Sequence, residues 1–308
     1  MDRTPEQNFN PAVSVIIPCY NHGRYIREAI VSVEQCDSTL YEIIIINDGS
    51  TDAQTLTVMA DLQAEGYQVI TQENQGCAAS RNKGISLACG RYILPLDADN
   101  KIYPEYIPLG IKILDRQPEV AVVYGRPELF GDISTREYPE VFDFDLHRLI
   151  VNNYIDTCAV IRKSAVLECN GYDTHVPHNT WEDWDLWLSL AAKGWEFHFE
   201  DARLFSYRIL ANSLIGSLTQ PDAIQQNMEY LCRKHALLLR EIVIELQTEM
   251  SDHPRALYYS RLWAEQGVRG LVPQALAEVV RRLKGRFGSA VSEFRATPLP
   301  TKDRFRNR

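Results

Sequence analysis

The chain has no long apolar run, no paired-cysteine pattern and no excess of positive charge. No apolar stretch reaches the roughly 18 residues that a membrane-spanning helix needs, so no such helix is predicted. The seven cysteines are scattered, without CxxC spacing or a nearby group of histidines. This pattern argues against a disulfide framework and against a structural zinc site, and we expect reduced, mostly buried thiols.

The first residues also lack the basic segment and apolar core of a secretory signal, so we expect a cytoplasmic protein. The net charge of −9 argues against nucleic acid as the main partner. The charge is uneven, because residues 281–308 contain nine Lys or Arg and only two acids. This basic tail could contact anionic headgroups at the cytoplasmic face of a membrane, or it could simply be solvated.

What the chain does have is the composition of a globular protein, with 45% hydrophobic and 24% charged residues over 308 positions. Its first 125 residues alternate between apolar strand segments and amphipathic helices. Strands are predicted at residues 13–17, 42–46, 68–71, 92–96 and 120–124. The alternation predicts an α/β fold of the Rossmann-like kind, with a mostly parallel central sheet flanked by helices.

The rest of the chain alternates less regularly. Residues 126–154 are predicted to be rich in loops, and they precede a strand at 157–161, a helix at 184–193 and short strands at 195–199 and 205–209. After Pro221 the pattern becomes helical, with helices predicted at 223–250, 256–266 and 273–283. We therefore expect a main domain over residues 1–220 and a helical extension with a basic tail over residues 221–308.

Polar or acidic residues follow three of the predicted strands. Tyr20 comes after the first strand, Asp48 after the second, and Asp97 and Asp99 after the fourth. Because parallel sheets bind ligands outside the carboxyl ends of their strands, these side chains are expected to share one crevice. Taken alone, the two aspartates fit equally a site for a divalent cation and a solvated turn. The convergence of three strand ends favours a site.

Five ordered segments carry a resemblance to a known family, at residues 13–21, 46–52, 74–82, 96–99 and 181–188. They resemble the family-2 glycosyltransferases with a GT-A fold, over about residues 11–215. The resemblance implies inverting transfer of a sugar from a nucleotide-diphosphate donor to a hydroxyl of a glycan or lipid-linked acceptor. The donor is expected to be a UDP-sugar, because the acidic residue of the second motif suits uracil. It also implies a divalent cation, Mn²⁺ or Mg²⁺, as cofactor.

On this resemblance, Pro18, Cys19 and Tyr20 line the pocket for the nucleobase and ribose. The ring of Tyr20 could stack on the base, or it could be an aromatic residue packed at the rim. Asp48 would accept a hydrogen bond from the base, a contact suited to uracil, although it could instead cap the next helix. Asn47 stands where the family usually has the first of two aspartates.

The next two motifs would hold the diphosphate. Gly76 would allow close approach to the backbone, and Arg81 would pair with a phosphate unless it is simply a solvated helix residue. In the segment Asp97-Ala98-Asp99, the resemblance makes Asp99 the direct metal ligand. Asp97 would reach the ribose or a metal-bound water. Ala98, between the two aspartates, would contact the donor.

The last motif would supply the general base. Asp183 matches the family residue that takes the proton of the acceptor hydroxyl, and a helix beginning there would favour its carboxylate form. The alternative role is a helix cap. Trp181, Glu182 and Asp185 are assigned to the acceptor, through a flat ring face or through contacts with hydroxyls, and Glu182 or Asp185 could orient the base. The tryptophans at 184 and 187 are expected to pack inward.

One position departs from the family. Leu210 stands where a histidine that completes the metal shell is common. We therefore expect the cation to depend on Asp99, the diphosphate and water, and Arg208 could assist the diphosphate. Two other functions are less consistent with the sequence. A sugar-phosphate nucleotidyltransferase would need a glycine-rich basic loop after the first strand, which is missing here, and a non-catalytic sugar-nucleotide-binding module would need no base at Asp183.

Overall fold

A computed structural model of the protein describes residues 10–132, 139–210 and 221–249. The helices predicted at 256–266 and 273–283 and the basic tail lie outside the described residues. The chain divides into two compact units, Met1–Leu238 and Leu239–Arg308, and the helix Pro221–Lys234 belongs to the first unit. The functional division between residues 1–220 and 221–308 stays a prediction.

One eight-stranded sheet forms the centre of the first unit, in the order β3-β2-β1-β4-β7-β6-β8-β5. Pairing is parallel between β1 and β2, β1 and β4, β2 and β3, and β6 and β8, while β7 and β5 run antiparallel to their neighbours. The predicted α/β fold with a mostly parallel sheet is confirmed. The strands are β1 Val13–Cys19, β2 Tyr41–Asp48, β3 Gln68–Gln72, β4 Tyr92–Pro95, β5 Lys101–Ile102, β6 Val120–Gly131, β7 Val160–Arg162 and β8 Glu196–Ile209.

Helices cover the sheet and bury its apolar side chains. Every residue of β1 is buried, as expected for a central strand with both faces covered. The apolar face predicted for α1 is buried too, through Ile26, Ile30 and Val33. The helices are α1 Gly23–Glu34, α2 Ala53–Ala64, α3 Cys77–Leu87, α4 Tyr106–Arg116, α5 Leu146–Leu149, α6 Lys163–Glu168, α7 Glu182–Ala192, α8 Pro221–Lys234 and α9 Ala236–Glu249.

Two predictions about β6 and β8 were wrong. β6 continues to Gly131, through the part of 126–154 that was expected to be loop, and β8 is one strand instead of two short ones. The two strands pair with each other along most of their length, with irregular register near Arg126. A partner distant in sequence supplies their hydrogen bonds, so the local pattern does not reveal their length.

The helix predicted at 223–250 is two helices, separated at His235. The imidazole of His235 is buried, and its Nε2 lies 2.9 Å from Oδ1 of Asp185 on α7. The cysteines also differ from expectation, because all seven are free but only three are buried. In the part of the chain that the structure describes, no helix has both the length and the apolarity needed to cross a bilayer.

The strand order fixes where a ligand can bind. From β1 the chain builds outward through β2 to β3, and it then returns to place β4 on the other side of β1. Open α/β sheets bind ligands at such a reversal, outside the carboxyl ends of the strands. Helix α3 packs closely over β1, since a Cβ added at Gly84 would lie 2.3 Å from Cγ2 of Ile16. This close packing brings the start of α3 to the edge of the crevice.

Candidate functional site

The carboxyl ends of β1 and β2 are tied together by Asn21, which adopts a positive φ of 56°. Its Oδ1 accepts hydrogen bonds from the backbone N–H groups of Thr51 and Asp52, at 2.8 and 3.1 Å. Its own backbone N–H donates to Oγ of Ser50. The two strand ends that the sequence predicts for the nucleotide are therefore held side by side.

The residues assigned to the nucleobase differ in exposure. Pro18 and Cys19 are buried in β1, and burial raises the pKa of the Cys19 thiol to about 11, so that it stays protonated. Tyr20 is 48% exposed, and its ring is open to a stacking partner instead of packed into the rim. Contact of these three residues with a base stays a prediction.

Asp48 organises the loop before α3. Its Oδ1 accepts hydrogen bonds from Nε2 of Gln72 and the backbone N–H of Gln75, and its Oδ2 accepts one from the N–H of Gly76. Asp48 does not cap α2. That role belongs to Asp52, whose side chain accepts from the N–H of Thr55. Oδ2 accepts only one hydrogen bond from the described residues and therefore has a lone pair left for a base. The contact between Asp48 and a base stays a prediction.

Gly76 has φ 88° at the start of α3, a conformation that favours glycine. A Cβ at this position would come within 3.0 Å of Cγ of Asn179, in the loop before α7. The glycine therefore lets that loop close against α3. The sequence predicts that Gly76 lets the donor approach the backbone closely. The structure adds a second role for this glycine, which is its close contact with Asn179.

Arg81 is the buried cation of the site, with only 3% of its side chain exposed. One terminal nitrogen donates to Oε1 of Glu182 at 2.5 Å, and the other donates to Oδ1 of Asp97 at 2.9 Å. The reading of Arg81 as a solvated helix residue is wrong. Both of its terminal nitrogens are already engaged by carboxylates, so its charge joins the predicted donor side to the start of α7.

Asp99 has little solvent around it and no strong cationic partner. Its side chain is 16% exposed, and Nδ1 of His22 lies 3.9 Å from its Oδ2, which is too long for a hydrogen bond. Burial, followed by the nearby charge of Asp97, raises the pKa of Asp99 to about 6. Ala98 between the two aspartates is buried. The backbone N–H of Asn100 bonds to the carbonyl of Asp97, so this acidic segment is both a turn and a recessed pair of carboxylates.

The donor set fits a divalent cation that brings other ligands with it. Within residues 10–132, 139–210 and 221–249, no group of three or more His, Cys, Asp or Glu is placed to hold a metal. Asp97 and Asp99 offer hard oxygen ligands, which Mg²⁺ and Mn²⁺ prefer alongside water and phosphate oxygens. The excess negative charge at Asp99 is the feature of this structure that such a cation would balance.

Arg208 anchors this acidic turn through its side chain and its backbone. Its Nε donates to the backbone carbonyl of Asp99 at 2.9 Å, and its backbone N–H donates to Oδ1 of Asn100. A terminal nitrogen donates to Glu28, and the guanidinium lies over the ring of Tyr25. These contacts argue against the expectation that Arg208 assists a diphosphate.

Asp183 is the second residue of α7. The capping position belongs to Trp181, with φ 67° and no side-chain capping bond, so the reading of Asp183 as the helix cap is wrong. Oδ1 of Asp183 accepts from the N–H of Trp184 at 2.7 Å, and Oδ2 accepts from Nδ2 of Asn153 at 3.1 Å. Burial and the adjacent charge of Glu182 raise the pKa of Asp183 to about 7, against the opposing effect of Arg81.

The residues assigned to the acceptor separate into two groups. Glu182 is buried in its ion pair with Arg81, and Trp181 is half-buried with its ring 4.9 Å from that of Trp184. Asp185 is only 1% exposed and accepts from Lys234 and His235, so its assignment to the acceptor is wrong. Its carboxylate lies inside the protein, where an acceptor hydroxyl does not reach.

The expected inward packing of the other two tryptophans is confirmed. Trp184 and Trp187 are buried, and their indole N–H groups donate to the backbone carbonyls of Leu149 and Ile155. Asn153, whose Nδ2 donates to Asp183, is a residue of the site that the sequence does not predict. Asn153 lies in the irregular stretch before β7, where no periodicity or motif marks it.

Comparisons with known proteins identify the family of the chain. Residues 14–169 match the family model described as glycosyl transferase family 2. The chain is similar to an uncharacterized glycosyltransferase of Rickettsia prowazekii, 30% identical over 72% of this chain and 70% of the relative. It is also similar to TuaG of Bacillus subtilis, a putative teichuronic acid biosynthesis glycosyltransferase, 28% identical over 67% of this chain and 82% of the relative.

Solved structures share the fold. S. aureus TarS 1-349 in complex with UDP-GlcNAc has a TM-score of 0.61 and 18% identity, over 89% of this chain and 82% of that chain. The complex of TarS 1-349 with UDP has a TM-score of 0.57 and 18% identity, over 89% and 81%. This likeness confirms the predicted GT-A fold.

Replacing Arg81 with methionine is expected to lower the free energy of unfolding by about 3 kcal/mol, because Glu182 and Asp97 lose the cation between them. The matched control is Arg27→Met, which removes an exposed pair with Glu65 and should cost less than about 1 kcal/mol. Urea unfolding followed by circular dichroism measures both. Equal losses in the two variants would contradict a structural role for the buried pair.

Proposed function

Because the chain belongs to glycosyl transferase family 2, we propose that it transfers a sugar, with inversion, from a UDP-sugar to a hydroxyl of a glycan or lipid-linked acceptor. The observation that carries the proposal is the buried guanidinium of Arg81, which joins Asp97 to Glu182. This guanidinium holds the acidic turn after β4 next to the start of α7, which carries the predicted base. The donor class is further supported by TarS, which has been solved with UDP and with UDP-GlcNAc.

In this proposal the nucleotide lies over the ends of β1 and β2. The exposed ring of Tyr20 supplies a stacking face for the uracil, and the remaining lone pair on Oδ2 of Asp48 accepts from the base. Arg81 donates one N–H from each terminal nitrogen to a carboxylate, and its other N–H groups would contact the diphosphate, as the sequence motif predicts.

Asp97 and Asp99 would hold the divalent cation together with the diphosphate. When bound, Mn²⁺ or Mg²⁺ would neutralise the charge that develops on the departing diphosphate. Asp99 is suited to this because its charge is recessed from solvent and has no hydrogen-bonded cation beside it. Asp97 would share its charge with Arg81, so it would be the weaker ligand of the two.

Asp183 would act as the general base. The acceptor oxygen attacks the anomeric carbon as the bond from that carbon to the diphosphate oxygen breaks, and the hydroxyl proton passes to the Asp183 carboxylate. Asn153 and the N–H of Trp184 each hold one of its oxygens, which fixes the direction of the remaining lone pairs. A carboxylate with a pKa of about 7 is matched to proton transfer near neutral pH.

Donor and cation can be tested together by thermal unfolding of the chain with a panel of nucleotide sugars, in Mn²⁺, Mg²⁺ or EDTA. A UDP-sugar is expected to raise the Tm only when a metal is present, and about 2.7 kcal/mol of stabilisation is expected at a hundred times the Kd. Asp99→Asn should lose the metal-dependent part of the shift. An equal shift in EDTA would rule out the proposed cation.

Replacing Asp183 with asparagine is expected to lower the rate of transfer by about a hundredfold or more, because the amide cannot take a proton at neutral pH. The affinity for UDP, measured by calorimetry, should stay the same. Asp61→Asn, an exposed change on α2, is the control and should transfer normally. Undiminished transfer by Asp183→Asn would refute the base. UDP binding without any transfer by the unmodified chain would favour a non-catalytic module.

The pH profile tests the electrostatics of the base. Since Asp183 must be deprotonated to act, kcat/KM should rise with pH through about 7 and then level off. Glu182→Gln removes a negative neighbour that raises the pKa of Asp183, so the acidic limb should move to lower pH. Glu119→Gln, an exposed change before β6, should leave it in place. A limb that moves to higher pH in Glu182→Gln would contradict the assignment.

A further inference from the structure

The loop that leads into α7 has an unusual backbone. His178, Asn179 and Trp181 all have positive φ, at 62°, 51° and 67°. Residues other than glycine adopt this conformation at a cost, and for a bulky residue such as tryptophan it is uncommon. Such a backbone persists only where surrounding contacts hold it. Asp183 follows two residues later, so whatever holds this loop also decides where the predicted base points.

On one side the loop is held by α8. Nδ2 of Asn227 donates to Oγ1 of Thr180 at 3.0 Å, and both side chains are buried. One residue earlier in α8, Oε1 of Gln226 lies 3.0 Å from Nε2 of His178. These bonds reach two of the four residues between 178 and 181. On its other side the loop meets α3, where Asn179 lies against Gly76.

The end of α8 holds residues on both sides of the base. Nζ of Lys234 donates to Asp173, before the loop, and to Asp185, two residues after Asp183, at 2.6 and 2.8 Å. The hydroxyl of Tyr230 also donates to Asp173. These bonds explain why an aspartate is buried in the first turn of α7, because Asp185 binds α8.

We propose that α8 is a positioning element for the predicted base, with Asn227 and Lys234 as the positioning residues that hold the loop 178–181 and the first turn of α7. The proposal rests on the assignment of Asp183 as general base. A reacting oxygen and its base must approach within hydrogen-bond distance, and a displacement of about 1 Å can lower a rate by about a hundredfold. Helix α8 would therefore belong to the working site, although no family motif lies in it.

The first test breaks the bond between Asn227 and Thr180 from either end. Thr180→Val keeps the shape of the side chain and Asn227→Leu fills the same space without a donor. Each is expected to lower kcat about tenfold or more, with UDP release from the best-binding UDP-sugar as the assay. The Kd for UDP should not change. Because both variants remove one bond, the double variant should be no slower than the slower single one.

The pH profile separates positioning from simple loss of stability. Burial is the main cause that raises the pKa of Asp183, so a loosened loop that exposes the carboxylate lowers it. The acidic limb of kcat should therefore move to lower pH in Thr180→Val. Global destabilisation alone would lower the amount of active protein and leave the midpoint of this limb unchanged.

The second test uses charge. Lys234→Met leaves Asp173 and Asp185 without their shared cation and should lower kcat, while Lys234→Arg should restore part of it. The matched control is Arg233→Met, which removes the same charge from an exposed neighbouring position and should leave kcat unchanged. Either test can proceed if a variant of the other fails to fold.

The outcomes distinguish this inference from the proposed function. Wild-type kcat in Thr180→Val and Lys234→Met, with Asp183→Asn inactive, would overturn the role of α8 and leave the base assignment standing. A parallel fall in kcat and UDP affinity would also overturn it, since that result indicates general damage. Undiminished turnover by Asp183→Asn would refute the base itself, whatever the α8 variants do.

Discussion

The buried guanidinium of Arg81 is the interaction on which the site depends. It bonds to the carboxylates of Asp97 and Glu182, and the carboxylate of Asp183 lies near its charge. Three acidic groups around a partly buried site are costly without a cation. The guanidinium is a rigid fork, so it also fixes the separation between the turn after β4 and the start of α7. The side chain of Arg81 thus both balances the negative charge of the carboxylates and sets the distance between these two segments.

The way Arg81 divides its charge explains what the other carboxylates can do. Glu182 and Asp97 are hydrogen-bonded to it, and Asp183 is influenced by its charge without a bond to it. Within the described residues, the carboxylate of Asp99 lies near the charge of Asp97 and has no hydrogen-bonded cation. The pKa of Asp99 and that of Asp183 are each raised by burial and by a carboxylate neighbour. The recessed carboxylate after β4 suits the proposed metal ion, and the one at the start of α7 suits the proposed proton acceptor. The two proposed roles follow from the same local shortage of positive charge.

Local signals in the sequence were enough for the sheet and for the ends of its strands. The apolar run of β1, the turn residues after it and the cap at Asp52 each depend on neighbours in the chain. The paired strands β6 and β8 and the buried contact of Asp185 depend on partners far away in sequence. For Arg81 the sequence offered a phosphate ligand or a solvated residue, and the second of these does not describe a cation buried between two carboxylates. The position of Asp185 near the start of a helix is compatible with binding an acceptor and with binding a lysine from another helix. The local sequence does not distinguish these two roles.

This limit has a structural cause at α7. The motif around Asp183 specifies which groups are present, but the backbone from His178 to Trp181 is not one that its own residues favour. Its conformation must be stabilised from outside, by the start of α3 on one side and by α8 on the other. The two supports come from residues about 100 positions upstream and 50 positions downstream, so they belong to the fold and not to the motif. The position of the Asp183 carboxylate is therefore a property of how three distant segments pack, and the local sequence alone does not determine it.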